Sequence, residues 1–272
     1  WHPDYTGLFF QSQLDMTAAP AADPSEKPDL IVWPETAIPW RLGTAEPVLT
    51  EIALAADGAE VALGVLRFEG SMLRNSLAVL NPQGAARAIY DKHHLVPVGE
   101  YVPFADYLSR IGLRAMVEQT SGFSSGPGPA LLDFGALGTA LPLICYEAVF
   151  AHGVNRAPAR PDFLLQVTND AWFGTYAGPQ QHLAQARMRA IEQGLPLLRS
   201  ANTGISAVID PFGRTIAQLA LNTDGFVDAP IPRALPSTLY SKTGDLPIAF
   251  LLAAGFVMVF ARRMRGGGSE RY

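Results

Sequence analysis

The chain has 272 residues, of which 49% are hydrophobic and 17% charged, with a formal net charge of −5. That length supports one large α/β domain or two small ones with a substantial core. The acidic balance leaves no basic footprint and argues against a nucleic-acid partner, and a single cysteine rules out an intramolecular disulfide.

Residues Trp1–Asp29 are rich in Pro, Ala and Asp and read as a loop with room for one helix. Leu30–Trp33 predicts a short strand, and Val48, Ile52 and Leu54/Ala55 give Pro47–Ala56 helical spacing. Strands follow at Val61–Phe68, Ser76–Leu80 and Ala85–Asp91, the last two joined by the turn Asn81-Pro82-Gln83-Gly84. Val102–Ser125 is long, punctuated by Gly and Ser, with a short helix expected near Tyr107–Met116; loops of this length in compact domains are commonly functional. Gly138–Ile144 and Phe163–Thr168 read as strands. Gln180–Gln193 is the clearest helix, with Leu183, Ala186, Met188/Ala190 and Ile191 as its apolar face. Two further strands, Leu195–Ser200 and Ser206–Asp210, flank an Asn202-Thr203-Gly204 turn.

Leu246–Ala261 is continuously apolar and bounded by Asp245 and by Arg262, Arg263 and Arg265. A span needs ~20 residues; Gly244 and snorkelling arginines extend this run towards that length. The alternative is a buried core helix. A basic cluster directly after an apolar run marks a cytoplasmic end, which places the preceding domain on the outer side.

Three strands end on chemically active groups: Glu35 after Leu30–Pro34, Lys92 after Ala88–Asp91, and Cys145 after Gly138–Ile144. In open α/β sheets the carboxyl ends of strands line the functional crevice. A carboxylate, an ammonium and a thiol suffice for acyl transfer. Glu35 serves as general base and acid, Lys92 stabilises an oxyanion, and Cys145 carries the acyl group. A free cysteine is otherwise a small buried hydrophobe. An N-terminal helix position near Lys92 is expected to lower the thiol pKa.

WPET at Trp33–Thr36, YDKHHLVPVGEYVPF at Tyr90–Phe104, LICYE at Leu143–Glu147 and TNDAWFG at Thr168–Gly174 resemble the nitrilase, or carbon–nitrogen hydrolase, superfamily. Within it they are most similar to the catalytic domain of the bacterial apolipoprotein N-acyltransferases. ANTGISAVIDPFGR at Ala201–Arg214 and the apolar C-terminal segment fit that branch too. The resemblance runs from Trp1 to about Arg265. It implies an α/β fold, the nitrilase-type α-β-β-α sandwich, plus one C-terminal transmembrane helix. Residues 1–240 would form the catalytic domain, 245–262 the membrane helix and 263–272 a disordered tail. The family also implies membrane helices and a first strand upstream of Trp1, consistent with a chain that opens without Met or a signal peptide.

The resemblance further implies a Glu35–Lys92–Cys145 triad and no cofactor. A phospholipid, phosphatidylethanolamine, is the implied acyl donor and a diacylglyceryl lipoprotein the acceptor. The implied setting is the bacterial inner membrane, with the catalytic domain on the periplasmic side and the C-terminus in the cytoplasm. Glu100 matches a second family glutamate that holds Lys92 in place. Glu147 matches a family-important position, or is a carboxylate favoured at a helix N-terminus. The Tyr146 backbone N–H is a second oxyanion donor. Trp172, with Phe173, lines the pocket or packs in the core. His93, His94 and His182 lack metal-ligand spacing. The alternatives are a soluble amidase or carbamoylase of the same superfamily, and a non-catalytic remnant that binds lipid or lipoprotein.

Overall fold

The computed structural model of the chain describes residues 3–21, 27–110 and 122–266. One sheet comprises β1 (Leu30–Val32), β2 (Glu60–Glu69), β3 (Met72–Leu80) and β4 (Ala86–Asp91), in that order, with β1 parallel to β2 and the other pairs antiparallel. The β3–β4 turn falls where the sequence places it. There the N–H groups of Gln83 and Ala85 donate to Asn81 Oδ1 at 3.0 and 2.9 Å, an Asx arrangement that mimics a backbone turn.

The second sheet contains β5 (Leu132–Asp133), β6 (Thr139–Ile144), β7 (Phe163–Asn169), β8 (Leu197–Asn202), β9 (Ser206–Ile209) and β10 (Thr215–Leu219). Its order is β10-β9-β8-β7-β6-β5, and β6, β7 and β8 run parallel. The short strands β5 and β10 carry no clear sequence signal.

Side-chain alternation divides the core into three layers. From β2, Val61, Leu63 and Val65 face α1 (Thr6–Ala18) and α2 (Glu46–Ala55). Ala62 of the same strand joins Leu77, Val79 and Tyr90 between the sheets. They meet Ala140, Ile144, Phe163, Leu165 and Val167 of the second sheet there. On that sheet's far side Leu141, Leu143, Leu164 and Leu197 pack on the long helix Gly178–Gln193. The result is helix, sheet, sheet, helix.

Two short helices, α3 (Ala105–Arg110) and α4 (Ala151–Val154), precede that long helix, which is α5. Pro179 lies in its first turn and Gly194, at φ +63°, ends it, the usual asymmetry of helix ends. Its buried stripe is His182, Ala186, Arg189, Ala190 and Gln193, whereas Met188 and Ile191 are exposed. The expected apolar face is therefore rotated. Small alanines let the helix approach the sheet, Arg189 and His182 meet backbone oxygens, and Gln193 Nε2 donates to Asn155 Oδ1 at 2.6 Å. Arg189 Nη1 donates to the Val149 carbonyl at 2.7 Å. The helix expected near Tyr107–Met116 starts earlier, as α3; the rest of that expectation, Trp1 and most of the expected disordered tail lie outside the described residues.

After α6 (Leu239–Thr243), the chain ends its described part in α7 (Leu246–Gly266). The segment Leu246–Met264 is long and apolar enough to cross a membrane, and 0% of it is buried against the rest of the protein. It is therefore not a core helix of the described sandwich. The helix also continues past Ala261 through the arginines, removing the shortfall in length.

Candidate active site

Glu35, Lys92 and Cys145 leave the ends of β1, β4 and β6 and line one cleft. All three side chains are buried, Lys92 to 1% exposure. Close approach of the Glu35 segment to β2 requires a glycine. A Cβ on Gly64 would lie 2.4 Å from Glu35 Cα, 2.5 Å from the Pro34 carbonyl oxygen and 2.7 Å from the Thr36 nitrogen. Backbone bonds from Ala37 N–H to the Gly64 carbonyl and from Gly64 N–H to the Pro34 carbonyl lock the segment down.

The Glu35 carboxylate receives one donor from each sheet. Asn75 Nδ2 donates to Oε1 at 2.7 Å, and the Asn169 N–H donates to Oε2 at 2.8 Å. Lys92 Nζ lies 3.5 Å from Glu35 Oε1. It donates to Glu100 Oε1 at 2.8 Å, and Glu100 is itself fixed by the Val96 N–H at 2.8 Å. Asn75 also reaches Glu100 Oε1 at 3.3 Å, so one amide bridges both carboxylates. Burial disfavours the Lys92 ammonium, but Glu35, Cys145 and Glu100 outweigh it and raise its pKa.

Cys145 holds a positive φ of +50°, sparsely populated for a non-glycine residue and costing on the order of 1–3 kcal/mol. It opens a 3-10 turn, Cys145–Val149, not an α-helix. Tyr146 lies in the first turn, where backbone N–H groups have no intrahelical acceptor. The thiol is not depressed, contrary to expectation. Burial pushes it up to about 12, and Glu35 adds to the rise; the Lys92 charge and the Thr168 hydrogen bond pull it down without prevailing. At neutral pH the resting site therefore holds a thiol beside an ammonium.

Glu147 is held in a clasp of hydrogen bonds. Its Oε2 accepts from the Ile144 N–H at 2.8 Å, and its Oε1 accepts from the His93 N–H at 2.8 Å and the His94 N–H at 3.2 Å. Tyr90 Oη donates to both carboxylate oxygens at 3.0 Å. The carboxylate thus ties the cysteine turn to the loop that carries Lys92. The Tyr146 ring packs edge-on against His94 and Phe150. Trp172 lines the cleft at 85% exposure, so it belongs to the rim and not to the core.

Sequence reasoning missed a second, fully buried network below the cysteine. Asp170 Oδ2 pairs with Arg199 Nη2 at 2.6 Å, and its Oδ1 lies 2.9 Å from His182 Nδ1. Arg199 Nη1 donates to Gln166 Oε1 at 2.6 Å. His182 Nε2 and Gln166 Nε2 lie 3.1 and 3.3 Å from the Cys145 carbonyl oxygen. Burial acts to raise the Asp170 carboxyl, yet His182 and Arg199 hold it below its ordinary value. Asn75 was missed as well. Its signal lies in register: it precedes Ser76, which pairs with Asp91, and it accepts the Lys92 N–H on its backbone carbonyl.

Residues 9–238 match the carbon–nitrogen hydrolase family. The chain is 42% identical over 258 residues to the apolipoprotein N-acyltransferase of Bradyrhizobium diazoefficiens, covering 92% of this chain and 48% of that protein. Against the enzyme of the same name from Rhodopseudomonas palustris it is 38% identical, covering 95% and 50%. The chain thus spans about half the length of these relatives. Its backbone is similar to an amidase from Nesterenkonia sp. AN1 (TM-score 0.60, 18% identity, 90% of each chain). It is also similar to a carbon–nitrogen hydrolase from Helicobacter pylori G27 (TM-score 0.58, 15% identity, 80% of this chain and 82% of that one). These likenesses establish the nitrilase-type sandwich, and with the family match they show that the chain belongs to the carbon–nitrogen hydrolase family.

Proposed function

We propose that the chain is the catalytic part of an apolipoprotein N-acyltransferase. It would move a fatty acyl group from a phospholipid, through a Cys145 thioester, to the α-amino group of a diacylglyceryl-cysteine lipoprotein. The observation that carries this reading is a nitrilase-type cysteine site joined to an apolar helix that no other described residue buries. The names of the relatives support it.

In the first half-reaction Cys145 Sγ attacks the ester carbonyl while Glu35 takes the thiol proton. A base is needed because the buried thiol does not ionise at neutral pH. The oxyanion is met by Lys92 Nζ and the Tyr146 N–H. On collapse the C–O bond breaks, and Glu35 returns the proton to the departing lysophospholipid. In the second half-reaction the lipoprotein amine attacks the thioester, loses a proton to Glu35, and the C–S bond breaks as Glu35 reprotonates Sγ. Glu100 positions Lys92 throughout. Water must be held off the thioester until the amine arrives.

Phosphatidylethanolamine is the proposed donor. The proposed setting is the bacterial inner membrane, with α7 spanning it, the catalytic domain in the periplasm and the arginine end in the cytoplasm. The test is intact-mass spectrometry of the detergent-solubilised chain after exposure to phosphatidylethanolamine vesicles. An acyl adduct on Cys145, absent from Cys145→Ser, supports the reading. Ammonia release from small amides without any acyl adduct supports the soluble hydrolase instead.

A further inference from the structure

The buried network under the cysteine turn grips the nucleophile's own backbone. Cys145 can hold its positive φ only if something outside the turn fixes it. The carbonyl of Cys145 is the point of attachment. A carbonyl oxygen only accepts hydrogen bonds, and two nitrogens meet this one: His182 Nε2 at 3.1 Å and Gln166 Nε2 at 3.3 Å, themselves 3.2 Å apart. His182 is immobile. It projects from α5 beside Ala186 and Ala190, both at 0% exposure, its Nδ1 faces Asp170, and the Phe173 ring covers it edge-on.

The same anchor reaches the base. Asp170 directly follows Asn169, whose N–H donates to Glu35 Oε2. Asp170 is clamped on both carboxylate oxygens, by Arg199 on one and by Thr168 and His182 on the other. Its seat has no slack, because a Cβ on Gly204 would lie 2.4 Å from Asp170 Oδ2. One buried cluster therefore sets the nucleophile through its carbonyl and the base through a neighbouring N–H.

We infer that His182 is a positioning residue for the nucleophile. Held by the Asp170–Arg199 pair, it braces the Cys145 carbonyl together with Gln166 and so keeps Sγ aimed between Glu35 and Lys92. The inference rests on the proposed role of Cys145, but its central test does not require acyl transfer. Cys145 is the chain's single cysteine, so alkylation by iodoacetamide reports it alone. The charged groups that bear on the thiol are Glu35, Lys92 and Asp170, with Arg199 behind them.

The experiment compares the parent chain with His182→Leu and His182→Gln in detergent micelles, with folding checked by circular dichroism. Rates of iodoacetamide alkylation are taken across pH, and rates of acylation by p-nitrophenyl butyrate are taken alongside. With the carbonyl released, Sγ leaves the buried site beside Glu35. The apparent thiol pKa of His182→Leu should then fall from about 12 toward the ordinary value near about 8.5. Acylation should drop on the order of 10²-fold, the cost of a misplaced reacting group. The amide of His182→Gln puts a polar group where Nε2 was, and should restore both readouts. A packing role would be filled better by leucine. A folded His182→Leu with the parent alkylation profile overturns the inference, as does a glutamine variant no better than leucine. If His182→Leu does not fold, Gly204→Ala decides. It presses on Asp170 without removing a network group, and should lower the alkylation pKa in the same direction; an unchanged profile there counts against the inference. Because the alkylation arm needs no acyl chemistry, it gives its answer even if Cys145 accepts no acyl group.

Discussion

Glu35 has two opposed effects on Cys145, and they can be separated. Its charge helps hold the thiol up, while its lone pair is the proposed acceptor of the thiol proton. In Glu35→Gln the charge is gone, so alkylation by iodoacetamide should shift to lower pH. Acyl-adduct formation should nevertheless disappear, because no base remains. Mass spectrometry of both adducts on one sample reads the two effects, and an acyl adduct equal to the parent's would move the base role to Glu100. Lys92 gives a similarly sharp expectation. Its Nζ fits within 2.8 Å of Glu100 and 3.5 Å of Glu35, where a planar guanidinium sets its donors differently. Lys92→Arg should lose on the order of 10²–10³ in acylation rate, the scale of one oxyanion donor; a fully active variant would show that diffuse positive charge is enough. The positions of Glu35, Lys92 and Cys145 were legible because each ends an apolar run. Asn75, Gln166, Asp170, His182 and Arg199 were not. Each is a polar residue inside a strand, a turn or a helix face, and its partners lie far off in sequence, so no local pattern marks it.

At the scale of elements, the strands were legible wherever β-branched and leucine-rich runs met a turn. The missed ones show what the signal needs: β5 is two residues long, and β10 is largely exposed. The buried face of α5 was misread because hydrophobicity alone does not reveal which side meets the sheet. Small residues and hydrogen-bonding ones hold that side here, and Met188 and Ile191 are left to solvent. Gly64 is the most consequential residue in β2 by the same reasoning. It reads as a mild flaw in a strand, but it is the notch that admits the Glu35 segment. All three atoms that an added methyl would strike belong to backbone, so no rotamer change relieves the clash. Gly64→Ala should therefore cost roughly 1–3 kcal/mol of stability, as overpacking does, and slow acylation of Cys145 by displacing Glu35. Thermal melts paired with p-nitrophenyl butyrate kinetics check both. An alanine variant with parent kinetics would mean the segment has freedom that its backbone bonds to β2 deny it.

On the scale of the whole molecule, two sheets stack so that the carboxyl ends of β1, β4, β6 and β7 converge on one cleft, and a helix of different character leaves from the far end of the chain. Three clusters of buried residues line both sheets and the helices against them. α7 has no share in those clusters. Leu246, Ile248, Phe250, Leu251, Leu252, Phe256, Val257, Met258, Val259 and Phe260 are all exposed, an apolar surface that water does not tolerate on a monomer. With 21 residues at ~1.5 Å each, the helix is ~31 Å long, close to the ~30 Å hydrocarbon thickness of a bilayer. Removing residues 245–272 should therefore change how the protein partitions without disturbing the sandwich. The untruncated chain should need detergent and float with liposomes, whereas the shortened one should stay in buffer and keep the iodoacetamide profile of Cys145. If the untruncated chain stays in buffer without detergent or liposomes, α7 is not a membrane span. The helix would then have to be covered by another protein surface, and a small-amide hydrolase, tested by ammonia release, would become the leading reading of the site.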